Sequence, residues 1–317
     1  MSRIPVGVIG VGALGRHHAR HLAASAAAHL VGVHDLDFDR GNAVADSVGT
    51  RFYADVDDLL RDTEAVTVAV PTPVHAAVGL QALERGRAVL MEKPLAVSIA
   101  EADALIAAAA RRGVPLVVGH IERFNRAVRA AIPYLGDIKY FESTRLAPFQ
   151  SRGSDVAVIL DLMIHDLDLV LHLTHGDLVA DVRASGVAVL TPHVDVANAR
   201  VEFAGGGVAN ITASRVARDR VRKLRLFQPN GYFSLDLGAG TGVFMRLRPD
   251  RPAGQATNLA NVVEVVQLEA PERDALGAEL ESFVRFLRGD PDPVVTGVEG
   301  RAALALALRV SDAVAGR

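Results

Sequence analysis

Gly10-Val11-Gly12-Ala13-Leu14-Gly15 stands between a short apolar run, residues 4–9, and a stretch of helical periodicity from Arg16 to about Ala28. A strand, a G-x-G-x-x-G turn and a helix, in that order, form a dinucleotide-binding fingerprint. Each glycine has its own reason. Gly10 permits the tight turn, Gly12 lets the backbone approach a pyrophosphate, and Gly15 lets the helix pack closely on the strand. Ala13 and Leu14 complete the loop, and the N–H groups at the start of the helix face the phosphates. A second strand, residues 30–33, ends at His34-Asp35. Asp35 lies twenty residues past Gly15, where a carboxylate takes the adenine-ribose hydroxyls and repels a 2′-phosphate. Leu36-Asp37 follows, with no arginine immediately after the acid. The expected cofactor is therefore NAD rather than NADP.

Strands and helices then alternate: a helix, a short strand and a helix within residues 41–62, strands at 65–70, 88–91 and 115–118, and helices to about Arg85 and from about Ser98 to Arg112. Such alternation implies a parallel sheet with right-handed crossovers, and ligands bind beyond the carboxyl ends of its strands. Pro71, Thr72, His75, Glu92, Lys93 and His120 all fall at those ends, so they join Gly10–Gly15 and Asp35 as candidate cofactor-site residues. His17 and His21 have the i, i+4 spacing of a metal pair, but no Glu or Cys nearby completes a set, and no metal is expected.

After Val118 the pattern changes. A helix is expected from 119 to about 134, and strands then dominate: 137–146, 179–190, 194–204, 207–216, 222–228, 231–237, 242–248 and 262–268, with helices at about 275–288 and 299–314 closing the chain. Turn signals such as Gly205-Gly206-Gly207 and Pro229-Asn230-Gly231 join successive strands into a mostly antiparallel sheet. The expected class is α/β: a doubly wound Rossmann domain over residues 1–120, and an α+β domain with a large open sheet over 121–317 that binds substrate and assembles with other copies. The C-terminal helices are placed to pack back on the first domain. An open sheet needs both faces covered or solvated, so a homodimer or homotetramer through its free face is expected.

Composition narrows the function. The 317 residues carry a net charge of −3, which argues against a general nucleic-acid binder. There is no cysteine, which excludes disulfides and thiolate chemistry. No apolar run is long enough for a membrane span, and the first residues enter a strand without a signal-peptide pattern. Neither nucleic acid nor membrane is an expected partner, and a cytoplasmic location is expected.

Residues 156–169 read as an apolar helix that nonetheless holds Asp161 and His165, four residues apart on one face. An acid and an imidazole in such a helix are costly unless paired or turned to a cleft. Six basic side chains crowd residues 215–225, and Arg218, Arg220 and Arg222 alternate. They read either as a solvated strand end or as a clamp for an anionic substrate.

With the glycine loop, the Glu92-Lys93-Pro94 triplet, and Asp161 with His165, the chain resembles the Gfo/Idh/MocA family (glucose–fructose oxidoreductase / inositol dehydrogenase) over nearly its whole length. The resemblance implies a nicotinamide cofactor and makes Lys93, Asp161 and His165 the catalytic set of a sugar dehydrogenase. Two departures matter: Met163 and Ile159-Leu160 stand where many members have glycines, which narrows the pocket or changes how the helix begins. His120-Ile121-Glu122-Arg123-Phe124-Asn125, residues 161–166 and the stretch from Arg222 to Gln228 look like members that oxidise the 3-hydroxyl of UDP-N-acetylglucosamine for a lipid A-type pathway. Arg123, Asn125, Arg215 and Arg222 become candidate substrate residues on that basis. The alternatives are a free-sugar or inositol dehydrogenase and a dinucleotide-sensing regulator without catalysis. Either His165 or Lys93 serves as the base.

Overall fold

The computed structural model describes residues 3–150, 153, 156–248 and 261–316. The chain forms two compact units, Met1–Ile121 with Asp274–Leu304, and Glu122–Arg273 with Ala305–Arg317.

The first unit is built on a six-stranded parallel sheet of β1 (Ile4–Ile9), β2 (Ala28–His34), β3 (Arg51–Phe52), β4 (Ala65–Val68), β5 (Ala88–Glu92) and β6 (Leu116–Gly119), in the order β3-β2-β1-β4-β5-β6. Every residue of β4, β5 and β6 is buried, as expected for strands covered by helices on both faces. The connections carry α1 (Gly15–Ala24), α2 (Phe38–Val48), α3 (Val56–Asp62), α4 (His75–Glu84) and α5 (Ile99–Arg112). Helix α1 stops four residues short of the expected Ala28. The Ser25 hydroxyl accepts from the N–H groups of Ala27 and Ala28, and this local turn competes with further helix.

In the second unit an eight-stranded sheet comprises β7 (Tyr140–Leu146), β8 (Val179–Val187), β9 (Val196–Phe203), β10 (Val208–Ser214), β11 (Val221–Gln228), β12 (Gly231–Asp236), β13 (Thr241–Leu247) and β14 (Val263–Leu268), in the order β14-β13-β12-β11-β7-β10-β9-β8. β7 pairs parallel with β10 and antiparallel with β11. The single helix expected over 119–134 is broken into a 3₁₀ turn, α6 (Arg126–Ala131) and a second 3₁₀ turn. The Asn125 side chain caps α6 by accepting from Ala127 N–H, and Pro133 cannot donate within a continuing helix. The helix expected over 156–169 also differs. Residues Ile159–Met163 form a π-turn, which runs into α7 (Ile164–Leu173). Ile159 and Met163 are buried, so these departures from glycine fill the core of the second unit at the point where the helix begins. The last two helices are α8 (Ala275–Leu287) and α9 (Gly297–Val314). No helix among the described residues is long and apolar enough to cross a membrane.

Candidate active site

In the first unit the predicted cofactor residues gather at the carboxyl edge of the parallel sheet. Gly10 follows β1 with φ of +82°, and a Cβ there would press on Ala69 and Val70. At Gly15 a Cβ would collide with the Gly10 carbonyl, whereas at Gly12 it would meet nothing within 4 Å. Two of the glycines are thus required by the fold itself. Gly12 instead leaves open space over its backbone, which fits the close approach of a pyrophosphate. No side chain caps α1, so nothing but backbone stands at its N-terminus, where an anion is favoured. The residues present therefore fit a dinucleotide.

Asp35, at the end of β2, is buried. Its Oδ2 accepts from Val11 N–H at 2.8 Å and its Oδ1 from Asp37 N–H at 2.9 Å. Arg40 donates to both oxygens, at 3.1 and 2.6 Å. Burial works to raise the carboxyl pKa, but Arg40 and the two N–H groups outweigh it and hold the group below its ordinary value. The arginine missing just after Asp35 in sequence is supplied by the first turn of α2.

His75 is buried, with ring nitrogens 2.9 Å from the Pro94 carbonyl oxygen and 3.0 Å from that of Val70. It fastens the loop after β4 to the Lys93-Pro94 turn and lies beneath the site surface that the sequence suggested for it. Pro71 and Thr72 lie at the surface at the start of a short 3₁₀ turn. His120 is buried just past β6. Glu92, also buried, is held by a residue that no motif in the chain marks. His18 on α1, fully out of solvent, places Nε2 2.9 Å from Glu92 Oε1, while Glu92 Oε2 accepts from Lys93 N–H at 3.2 Å. Burial pushes the Glu92 pKa up, but the His18 hydrogen bond and the Lys93 charge bring it below the usual range. A carboxylate thus stands immediately before the Lys93 ammonium.

In the second unit Asp161 lies within the π-turn, which a bond from Ile164 N–H to the Ile159 carbonyl closes, and His165 follows it in the first turn of α7. Both are half-buried on a segment whose neighbours Met163, Ile164 and Asp166 are buried. Gly153, at φ +75°, lies behind the Asp161 carboxylate, where a Cβ would stand 2.8 Å from Oδ2. π-turns interrupt helices at functional positions more often than elsewhere, and this one contains Asp161 and ends two residues before His165.

The residue after His165 anchors α7. Asp166 takes Arg145 Nε at 2.6 Å on Oδ2, and Arg145 Nη2 at 3.0 Å and Ser143 Oγ at 2.8 Å on Oδ1. Arg145 Nη1 reaches Glu122 Oε1 at 2.7 Å, and Asn125 donates to Glu122 Oε2 at 3.0 Å. Burial alone would lower the Arg145 pKa, but the two carboxylates drive it above the ordinary arginine value. Three of the predicted substrate residues are committed to such internal contacts. Arg123 makes a bidentate pair with Asp168 at 2.8 and 2.6 Å. Asn125 caps α6 and also donates to the Leu237 carbonyl. Arg215 bonds Asp195 Oδ1 at 2.7 Å and the Gly153 carbonyl at 2.6 Å, bracing the turn behind Asp161. Arg222 differs, and its side chain remains partly exposed. Among the described residues, no group of three or more His, Cys, Asp or Glu side chains is arranged to hold a metal.

Residues 4–120 match the oxidoreductase family GFO/IDH/MocA with an NAD-binding Rossmann fold, and residues 126–234 match the GFO/IDH/MocA C-terminal domain. The chain belongs to the GFO/IDH/MocA oxidoreductase family. A family member from Acidithiobacillus ferrooxidans, UDP-N-acetylglucosamine 3-dehydrogenase, is 41% identical over 99% of this chain and 98% of its own length. The solved structure of that enzyme superposes with a TM-score of 0.92 at 40% identity, covering 100% of this chain and 99% of that one. Myo-inositol 2-dehydrogenase of Thermotoga maritima is 26% identical, over 95% of this chain and 93% of its own. This member of GFO/IDH/MocA is an oxidoreductase, with the expected α/β class and mostly antiparallel second sheet.

Proposed function

We propose that this protein oxidises the 3-hydroxyl of UDP-N-acetylglucosamine to a ketone, with NAD as the hydride acceptor. One observation carries the reading: the relative named for that reaction aligns over 99% of this chain at 41% identity. The chain also keeps Lys93, Asp161 and His165, which a sensor without catalysis has no need to retain.

When bound, the nicotinamide ring accepts the hydride from the carbon that carries the reacting hydroxyl. His165 takes the hydroxyl proton as the O–H bond breaks, since imidazole is the side chain best suited to proton transfer at neutral pH. Asp161, within the π-turn, stabilises the imidazolium that results. Lys93 donates a hydrogen bond to the substrate oxygen and offsets negative charge developing there. The Glu92 carboxylate, fixed by His18 and adjacent to Lys93 in the chain, supports this donor role over that of base. The Asp35 carboxylate supports NAD over NADP, with Arg40 moderating the preference. We further propose that copies pair through the sheet face bearing Tyr140, Phe227 and Tyr232, where Tyr140 meets Phe227 edge to face at 5.6 Å and Phe227 stacks on Tyr232 at 5.3 Å.

The deciding assay follows reduced-nicotinamide absorbance with NAD and UDP-N-acetylglucosamine, with glutamate and a suitable aminotransferase present to remove the ketone. A signal that requires the nucleotide sugar, and is absent with free N-acetylglucosamine, is the expected result. A signal with myo-inositol or free sugars alone transfers the assignment to the inositol reading that the Thermotoga relative represents.

A further inference from the structure

The strand pairing in the second unit sets two arginines side by side. β7 and β11 run antiparallel with Arg222 directly opposite Arg145. On β7, Phe141, Ser143 and Arg145 point inward, and on β11 the paired Leu226 and Leu224 do so. Arg222 continues that inward series by the two-residue alternation of a strand. Like charges placed directly opposite destabilise a sheet, so each guanidinium needs its own anion.

Arg145 has two, Asp166 and Glu122. Arg222 has none of its own. Its nearest carboxylate oxygen is Glu122 Oε1 at 3.8 Å, the same atom that Arg145 holds at 2.7 Å. At 3.8 Å no hydrogen bond forms, and the Arg222 guanidinium hydrogen-bonds to none of the described residues. Its side chain is 37% exposed. Burial and the charges of Arg145 and Arg220 act together to disfavour its protonated form, with Glu122 and Asp166 opposing. A half-buried arginine with undirected donors, next to a second cation, is an arrangement that a phosphate ester completes. Phosphate oxygens take the planar fork in pairs and supply the missing charge. The position is also functional, because Arg222 lies beside the Arg145–Asp166 pair that anchors α7, and Asp166 is the immediate neighbour of His165.

We propose that Arg222 is the specificity-determining residue that receives a phosphate of the sugar substrate, on the inward face of β11 beside the Arg145–Glu122 pair. The inference rests on the nucleotide-sugar reading but is tested separately from it. The phosphate belongs either to a nucleoside diphosphate or to a sugar 1-phosphate.

The experiment compares wild type with Arg222→Met and Arg222→Lys, first by calorimetric binding of UDP and of N-acetylglucosamine 1-phosphate, then by steady-state kinetics with UDP-N-acetylglucosamine. NAD affinity serves as the control for folding. Arg222→Met is expected to weaken binding of the phosphate ligand at least tenfold and to raise KM at least tenfold more than it lowers kcat. Arg222→Lys, which keeps the charge without the fork, recovers part of the loss and also serves if the methionine variant does not fold. Loss with UDP alone assigns the nucleoside diphosphate as the source, and loss with both ligands assigns the phosphate next to the sugar. UDP and sugar-phosphate affinities that both stay within twofold of wild type in a folded variant overturn the proposal, as does a wild type that binds neither. A wild type that binds either ligand through Arg222 yet turns over no UDP-N-acetylglucosamine upholds the proposal and overturns the substrate reading instead.

Discussion

Asp166→Asn tests whether the buried network behind His165 holds α7 to the sheet. The substitution preserves shape but removes the charge that meets Arg145 twice, at 2.6 and 3.0 Å. It also turns one acceptor oxygen into an N–H donor facing guanidinium or hydroxyl hydrogens. Arg145 keeps Glu122 alone at 2.7 Å. Removing one partner of a buried ion pair costs about 3–5 kcal/mol, because the other charge stays buried. If α7 and β7 open together, amide exchange over residues 140–146 and 164–173 accelerates by roughly a hundredfold or more, at about 1.4 kcal/mol per decade. Hydrogen exchange read by mass spectrometry measures this unit by unit, with the peptide over residues 4–9 as an unchanged reference. The double variant Arg145→Met, Asp166→Leu removes both charges and leaves Glu122 to Arg222, so its loss is smaller than the sum of the single losses. Acceleration below about fivefold in Asp166→Asn, or full additivity in the double variant, refutes the reasoning.

Lys93→Met is expected to leave less than about a tenth of wild-type turnover, a loss above ~1.4 kcal/mol, while NAD binding by fluorescence titration persists. Retained turnover removes Lys93 from the catalytic set. Arg40→Leu takes away the cation that shares Asp35, so a 2′-phosphate would meet an unbalanced carboxylate. The ratio of kcat/KM for NAD to that for NADP is expected to rise at least tenfold, and an unchanged ratio excludes Arg40 from cofactor choice. Asp195 is buried, which alone raises its pKa, but the N–H groups of Thr191, Val189 and Leu190 and the Arg215 side chain hold it far below the carboxylate range. Its folded pKa lies below its unfolded value of about 4, so its stabilisation is complete above pH ~4 and disappears as pH falls through the folded value. Hydrogen exchange over residues 187–196 between pH 2 and 6, divided by the intrinsic exchange rate at each pH, is expected to lose more protection with acid in wild type than in Asp195→Asn.

Elements whose signals are local were legible in the sequence. The glycine loop, the buried strands β4 to β6 and the Ser98 cap of α5 each follow from neighbouring residues. The partners of the polar site residues were not, because they lie far away in the chain. His18 and Glu92 are 74 residues apart, Arg123 and Asp168 45, and Arg40 reaches Asp35 only because α2 turns it back. The family resemblance marked Arg123, Asn125 and Arg215 as candidate substrate residues, yet it carries no information on whether a donor is already taken. The π-turn was hidden for a related reason. Residues 159–163 are mostly apolar and fit an α-helical periodicity, so only the packing of Ile159 and Met163 reveals the widened turn.

The first unit takes its core from both ends of its sequence. Leu276, Leu280, Phe283 and Val284 of α8 are buried with Val6, Val8, Leu22, Leu30 and Val33 in one apolar cluster. At about 1.5–3 kcal/mol for each fully buried side chain of this size, the four residues contribute on the order of the whole net stability of a domain. During synthesis, therefore, the dinucleotide-binding half emerges first but remains unfinished until the other half has followed it. A fragment cut at residue 120 would expose that apolar surface to water and to other nascent chains. The parallel sheet gains this part of its core only after α8 has been synthesised.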